Sequence, residues 1–451
     1  MPGDASDPCL VSAVPVQVIP EIRAPAIDWV EAGNAYSARW RSERGLPPPK
    51  RVTLADDALS ADAAYRLACE GTAILWRGDY HNATQLLQAM ARRAENSLAR
   101  RAENSQPRRA DESQPRRADD SPPQRMDTTG ARKNKAQAKL SPAVQAPADA
   151  FHRHRQGQSQ RARVLGALLI PFDADYGIAL RRAPDARQAC AEVWGPPDAV
   201  GSVASLRELQ GIIGAHEWRK KGVEIPALGD APDNRIHPHY GVFSPVRGEY
   251  VSLVATAPLP VTGQQQFVAF DIGTGTGVLA AVLARRQIER IVATDQDPRA
   301  LACARENIDR LGLSGRVQVV RADLFPEGRA SLVVCNPPWL PARAGSAIEA
   351  AVYDEDSRML LGFLRGLTAH LVAGGEGWLI MSDFAEHLGL RLRGELLAAI
   401  EQCGLIVVGR VDARPRHPKA SDAGDLLHAA RAAEVTSLWR LAVASRSGDW
   451  P

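Results

Sequence analysis

Asn336, Pro337, Pro338 and Trp339 form the tetrapeptide in this 451-residue chain whose residue types could act together on one substrate atom. The side-chain oxygen of Asn336 and the backbone carbonyl of Pro337 are acceptors on successive residues, which suits a nitrogen that carries two N–H bonds. Each proline has a fixed φ and no N–H, so the carbonyl direction is set without a competing donor. Trp339 adds a flat face on which a planar amide or base can stack. A second group lies upstream, where Asp271 is followed by Gly273, Thr274, Gly275, Thr276 and Gly277. Glycine is needed where the backbone takes positive φ or comes within contact distance of a ligand. The pattern is not the dinucleotide turn, because the third glycine of that motif would stand at Val278, and no Walker lysine follows. Asp295, 18 residues after Gly277, could accept both hydroxyls of a ribose, so a nucleoside is the expected ligand. Asp323 could accept from an adenine amino group.

These residues are useful only if elements converge on them. The apolar run Phe267–Phe270 ends in Asp271, and the glycine turn leads into the helical run Val278–Leu283. Arg290–Thr294 reads as the next strand and ends at Asp295; helix Pro298–Leu311 follows, then strand Val317–Arg321 ahead of Asp323, then strand Ser331–Cys335 running into Asn336. Alternating strand and helix predicts a parallel sheet with helices on both faces, and the carboxyl ends of such strands are where ligands bind.

With these elements in order, residues from near His237 to Val443 resemble the class I S-adenosylmethionine-dependent methyltransferases, in the HemK-like branch that methylates nitrogen and ends its fourth strand in Asn-Pro-Pro-aromatic. The resemblance implies a Rossmann-like, doubly wound, seven-stranded sheet with S-adenosyl-L-methionine as cofactor. It implies that Gly273, Thr274, Gly275 and Gly277 lie against the cofactor, that Asp271 sits near its methionine amine, that Asp295 takes its ribose hydroxyls and that Asp323 meets its adenine. Asn336 would border the cofactor as well as the substrate. The segment HPHYGVFSPVRGEY, with Phe243, Pro245 and Arg247, is similar to the cap over the cofactor in such enzymes. The catalytic set would be Asn336, Pro337, Pro338 and Trp339. An amide or exocyclic amino nitrogen shares its lone pair with a carbonyl or ring and must pyramidalise before it attacks; two acceptors on its N–H bonds favour that change. The resemblance points first to a protein glutamine side chain as acceptor, with adenine-N6 or guanine-N2 of RNA or DNA as the alternative and a non-catalytic cofactor-binding protein as a third reading.

The rest of the chain reads as support. Residues 91–122 hold four copies of an eight-residue repeat, ARRAENSL, ARRAENSQ, PRRADESQ and PRRADDSP. With the Pro-, Gln- and Lys-rich stretch to 150, this predicts a disordered insert over 92–150, a solvated linker or a basic arm. Residues 1–91 and 151–235 read as one mainly α-helical N-terminal domain around that insert, with a helix over Pro184–Trp194 and a break at Gly78 and Asp79. The methyltransferase domain would span 236–445 and a tail 446–451.

Composition narrows the classes. Hydrophobic residues are 45% and charged residues 24%, as in globular proteins. Net charge is +3, but residues 91–140 alone carry 10 Arg and 3 Lys against 7 acidic residues, so everything else sums to −3 and shows no overall basic footprint. Cys9, Cys69, Cys190, Cys303, Cys335 and Cys403 lie too far apart for zinc or redox spacing and read as reduced thiols, and the pair His237 and His239 reads as a loop feature, so no metal is expected. No window approaches a membrane span and the start lacks an export-signal pattern, so a cytoplasmic protein is expected. In the loop beyond Trp339, Glu349, Tyr353, Asp354 and Asp356 could meet substrate or, for Asp354 or Asp356, cap the helix Met359–Leu371. His417 and Lys419 could meet an anionic substrate.

Overall fold

The computed structural model describes residues 25–104, 142–345, 347–415 and 427–444. Two sheets carry the chain. The C-terminal one has seven strands: β9 (Val268–Ile272), β10 (Arg290–Asp295), β11 (Val317–Arg321), β12 (Ala330–Cys335), β13 (Leu371–Ser382), β14 (Leu405–Ala413) and β15 (Thr436–Val443), in spatial order β11-β10-β9-β12-β13-β15-β14. Strand β15 alone runs antiparallel, pairing in that sense with both β13 and β14. The sheet is the doubly wound, Rossmann-like one the sequence implies.

Alternation along the strands explains the two layers. On β12, Leu332 and Val334 face one core with α6 (Glu249–Thr256), α7 (Val278–Arg285) and α8 (Pro298–Arg310). Val333 and Cys335 face the other, with α10 (Arg358–His370) and α12 (Arg393–Gln402). Because β10 lies on one side of β9 and β12 on the other, the helices that follow β9 and β12, α7 and α10, lie on opposite faces and open a crevice at the strand ends. Helix α8 starts where the sequence says it should: Asp297 accepts from the Arg299 amide at 2.8 Å and Pro298 occupies the first turn.

The N-terminal part, read as mainly α-helical, has helices but is built around a sheet that the sequence reading missed. Strands β1 (Ala26–Glu31), β2 (Asn34–Trp40), β3 (Val52–Ala55), β4 (Ala73–Trp76), β5 (Leu168–Phe172) and β6 (Ser202–Ser205) form a six-stranded mixed sheet in the order β1-β2-β6-β5-β4-β3. Helices α1 (Ala61–Cys69), α2 (Tyr80–Asn104), α3 (Pro142–Leu165), α4 (Arg187–Trp194) and α5 (Leu206–Lys221) accompany it. Strand β4 is buried at all four residues, so its apolar run imitates a buried helical turn. Helix α4 begins at Arg187, not Pro184. The short strands β7 (Val223–Glu224) and β8 (Arg235–Ile236) join the two halves.

Of the expected insert over 92–150, both ends lie in helices. Helix α2 continues through Asn104 and α3 starts at Pro142, while residues 105–141 lie outside the described residues, as do Cys9, His417, Lys419 and the tail. Asp79 starts α2: it accepts from the His81 amide at 2.8 Å and pairs with Arg182 and Arg181, and these contacts hold its carboxyl well below the usual carboxylate range. Helices α2 and α3 clasp each other through Met90, Val164 and Leu165 in one core, with Arg161 paired to Glu95 at 2.9 Å. No helix among the described residues is long and apolar enough to cross a membrane.

Candidate active site

A cavity of about 970 Å³ opens at the crevice between β9, β10 and β12. Gly273, Thr274, Gly275, Asp295, Asp323, Asn336, Pro337, Pro338, Trp339 and Phe243 all line it, so residues spread over nearly a hundred positions meet in one place. Arg247 lines it as well and lies 3.6 Å from Glu434, whereas Pro245 is buried outside it.

The glycine turn takes its shape from positive φ at Gly273, Gly275 and Gly277. Gly275 is the open one: a Cβ there would meet nothing within 4 Å. Gly277 faces inward instead, where a Cβ would lie 3.2 Å from the Ala304 backbone, and it does not line the cavity. The Gly275 amide donates to Asp295 at 3.0 Å and the Asp297 amide donates to the other carboxylate oxygen at 3.0 Å. Burial raises the Asp295 carboxyl above its ordinary range. Asp323 is exposed and accepts from Gln296.

Asp271 departs from expectation. It is 1% exposed and does not reach the cavity; one carboxylate oxygen accepts from the Thr274 hydroxyl at 2.6 Å and from the Ala280 amide at 3.0 Å, tying the turn to α7. Burial pushes its carboxyl up to about 6. The folded state therefore holds this proton more tightly than the unfolded chain, so the group's contribution is most favourable below pH 4 and is lost as the pH rises to 6. Asn keeps the acceptor without the charge. Unfolding free energies of the native chain and of Asp271→Asn, measured in denaturant across this range, should diverge by about 3 kcal/mol, the native chain losing stability with rising pH. Parallel profiles would refute the assignment.

At the end of β12 the Trp339 indole N–H donates to the Asn336 side-chain oxygen at 3.0 Å. That fixes the amide's orientation and uses one of the two lone pairs, leaving the second. Among the described residues nothing donates to the Pro337 carbonyl. Two acceptors thus border the cavity beside one indole face.

Asp354 caps α10: its two oxygens accept from the Met359 and Leu360 amides at 3.0 and 3.1 Å. Asp356 is exposed in a left-handed conformation, and Tyr353 lies 4.3 Å beneath the Arg155 guanidinium carbon. His237 and His239 anchor the segment before α6. The His237 amide donates to Asn307 at 2.8 Å, Asn307 donates to the Thr276 carbonyl at 3.0 Å, and His239 meets Glu306. Asn307 is fully buried and couples this segment to the glycine turn, a role no local pattern announces.

Phe151 and His154 of α3 also line the cavity, although they lie in the other half of the chain. Phe151 is 2% exposed and packs with Leu340, Phe384, Leu388 and Leu427. A basic helix with one aromatic gives no sequence signal for this.

The lining suits S-adenosylmethionine: an open glycine where its chain would pass, a half-buried carboxylate beside that glycine, and a cavity within the size range of cofactor sites. The family model for the methyltransferase small domain matches residues 233–401. The chain is 51% identical over 69 residues to the ribosomal protein L11 methyltransferase of Pelotomaculum thermopropionicum, covering 15% of this chain and 22% of that one. It is 36% identical over 121 residues to the release factor glutamine methyltransferase of Moorella thermoacetica (26% and 43%). It is 36% identical over 92 residues to the tRNA1(Val) (adenine(37)-N6)-methyltransferase of Tolumonas auensis (20% and 34%). In each case the match spans less than half of the relative.

Proposed function

We propose, on the premise that residues 233–401 carry a methyltransferase small domain, that this chain is an S-adenosylmethionine-dependent N-methyltransferase acting on a planar amide or amino nitrogen in the cytoplasm. The observation that carries this reading is the Asn336 oxygen at the cavity, oriented by Trp339 with one lone pair still available. All five described cysteines are free, which suits a reducing compartment.

When bound, S-adenosylmethionine supplies a methyl group on a positively charged sulfur. Gly273, Thr274 and Gly275 would let the backbone approach the cofactor, Asp295 would accept from its ribose hydroxyls, and Asp323 and Phe243 would hold its adenine. Asp271 and Gly277 act one step back, by holding the turn. Asn336 and the Pro337 carbonyl accept the two N–H bonds of the acceptor nitrogen, and Trp339 holds its plane. These hydrogen bonds strengthen as the nitrogen gains positive charge, so they lower the barrier rather than only bind substrate. The cavity excludes water from the reacting pair, and the methylated nitrogen then loses its proton to solvent.

Two acceptors fit this geometry. A protein glutamine is the substrate named for the release factor relatives, and an adenine amino group is the one named for the tRNA relative. Labelled methyl from S-adenosylmethionine, transferred into a cell lysate and split by protease or by nuclease, separates them. Protease-released label mapping to glutamine supports the first, and nuclease-released label the second. No transfer to either fraction refutes the methyltransferase reading.

A further inference from the structure

Next to the cavity a groove runs between the two halves of the molecule, lined by Arg44, Arg155, Arg343 and Glu43, and Ala350 lines both groove and cavity. The charges in and around it do not cancel. Glu43 is taken up by Arg299 at 2.7 Å, Arg155 lies 3.9 Å from Glu349, and Arg161 is paired with Glu95. That leaves Arg44, Arg207 and Arg343, all exposed and in no ion pair among the described residues; Arg44 meets only the Gly345 carbonyl, at 3.5 Å. Partial loss of water around Arg207 is the main cause that holds its guanidinium below the ordinary range; Arg161 and Arg44 add to it and Glu349 opposes it. Glu208, whose carboxylate accepts from the Glu43 amide at 2.9 Å, is pushed up to about 7 by burial and so offers only part of a counter-charge.

We propose that this arginine groove binds the phosphodiester backbone of a polynucleotide whose base enters the adjoining cavity. The proposal rests on the N-methyltransferase reading of the cavity and deepens it by naming the substrate class. Three unpaired guanidiniums beside an acceptor pair and an indole face match a molecule that joins a planar amino nitrogen to fixed anions. In a polynucleotide every base has a phosphate on either side, one sugar away, so seating a base places its anions at the rim. A glutamine in a peptide has no such obligatory charge beside it. The near-neutral sum over the body hides the groove, because Arg44, Arg155 and Arg343, which line it, and Arg207, which lies near Arg44, are far apart in sequence.

The test uses the full chain and the triple variant Arg44→Gln/Arg207→Gln/Arg343→Gln, all exposed positions outside the cavity. The probes are a short fluorescein-labelled single-stranded RNA of mixed sequence, the DNA of the same sequence, and labelled poly-glutamate, each titrated by anisotropy over a range of salt. The triple variant should bind RNA or DNA at least about tenfold more weakly, and the slope of log Kd against log salt should fall by about 2, as expected for three phosphate contacts on a single strand. The Arg→Lys triple variant should keep the slope, and the stronger of the RNA and DNA losses identifies the polymer. Unchanged affinity and slope, or a loss confined to poly-glutamate, would overturn the proposal, the latter in favour of an acidic protein. Calorimetric binding of S-adenosylhomocysteine, measured in parallel, should be equal in both proteins; absence of binding in the native chain would instead strike the methyltransferase reading.

Discussion

Asn336→Ala should lower kcat by about 10³-fold while leaving the affinity for S-adenosylhomocysteine unchanged. The side chain contributes an acceptor that matters most when the nitrogen pyramidalises, so its loss falls on turnover rather than on cofactor binding. Asn336→Asp keeps an oxygen for the Trp339 N–H and should recover part of the loss. Trp339→Phe keeps a ring face but removes the donor that orients the amide. It should reduce kcat about tenfold, because a rotated amide presents N–H groups to a substrate that also donates. Single-turnover kinetics on the acceptor identified by the lysate experiment, with calorimetry for the cofactor, separate these effects. If Asn336→Ala turns over normally, the tetrapeptide is only a rigid turn.

Gly275→Ala should weaken S-adenosylhomocysteine binding by about 100-fold with only about 1 kcal/mol lost in stability. Its φ of +55° strains an alanine by about 1 kcal/mol, and in the free protein the new methyl meets nothing within 4 Å. On the proposed reading the methyl would stand in the cofactor's path, and overpacking of that kind costs about 3 kcal/mol. Gly277→Ala is the contrast. Its φ is +81° and its Cβ would press on the Ala304 backbone at 3.2 Å, so thermal stability should fall more than in Gly275→Ala while intrinsic cofactor affinity changes less. Calorimetry and thermal melts on both variants decide it: equal losses of affinity would mean the two glycines serve the site alike.

The first four strands of the C-terminal sheet, β9 to β12, were legible because each announces itself twice, by an apolar run and by the polar residue that ends or follows it. The expected strand Val317–Arg321 matches residue for residue, and the other three agree within a residue or two. Asp295 and Asn336 could be placed at the cavity from sequence because a strand end dictates where the next side chain points. Asp271 could not: its position beside the glycine turn is compatible with facing the cavity or with bracing the turn, and only the Thr274 and Ala280 hydrogen bonds decide. The N-terminal sheet was missed because β3, β4 and β6 have four residues each, too few for a period to declare itself. The hairpin between β1 and β2 closes on Ala32 and Gly33 at φ of +49° and +82°, and the alanine in the first place hides it from the usual two-residue turn pattern. Phe151, His154 and the arginine groove depend on contacts between chain segments far apart, which no local pattern encodes.

Phe151 has one more consequence. The hydrophobic cluster behind the loop after β12 is completed by a side chain that belongs to the first half of the protein. The C-terminal half is therefore not a self-contained module that could be excised, shuffled or fused elsewhere unchanged. Cut away from α3, it would bare Leu340, Phe384 and Leu388 and lose part of its own pocket wall. The two halves have to be inherited and folded as partners, and separately expressed fragments should regain a complete site only by complementing each other.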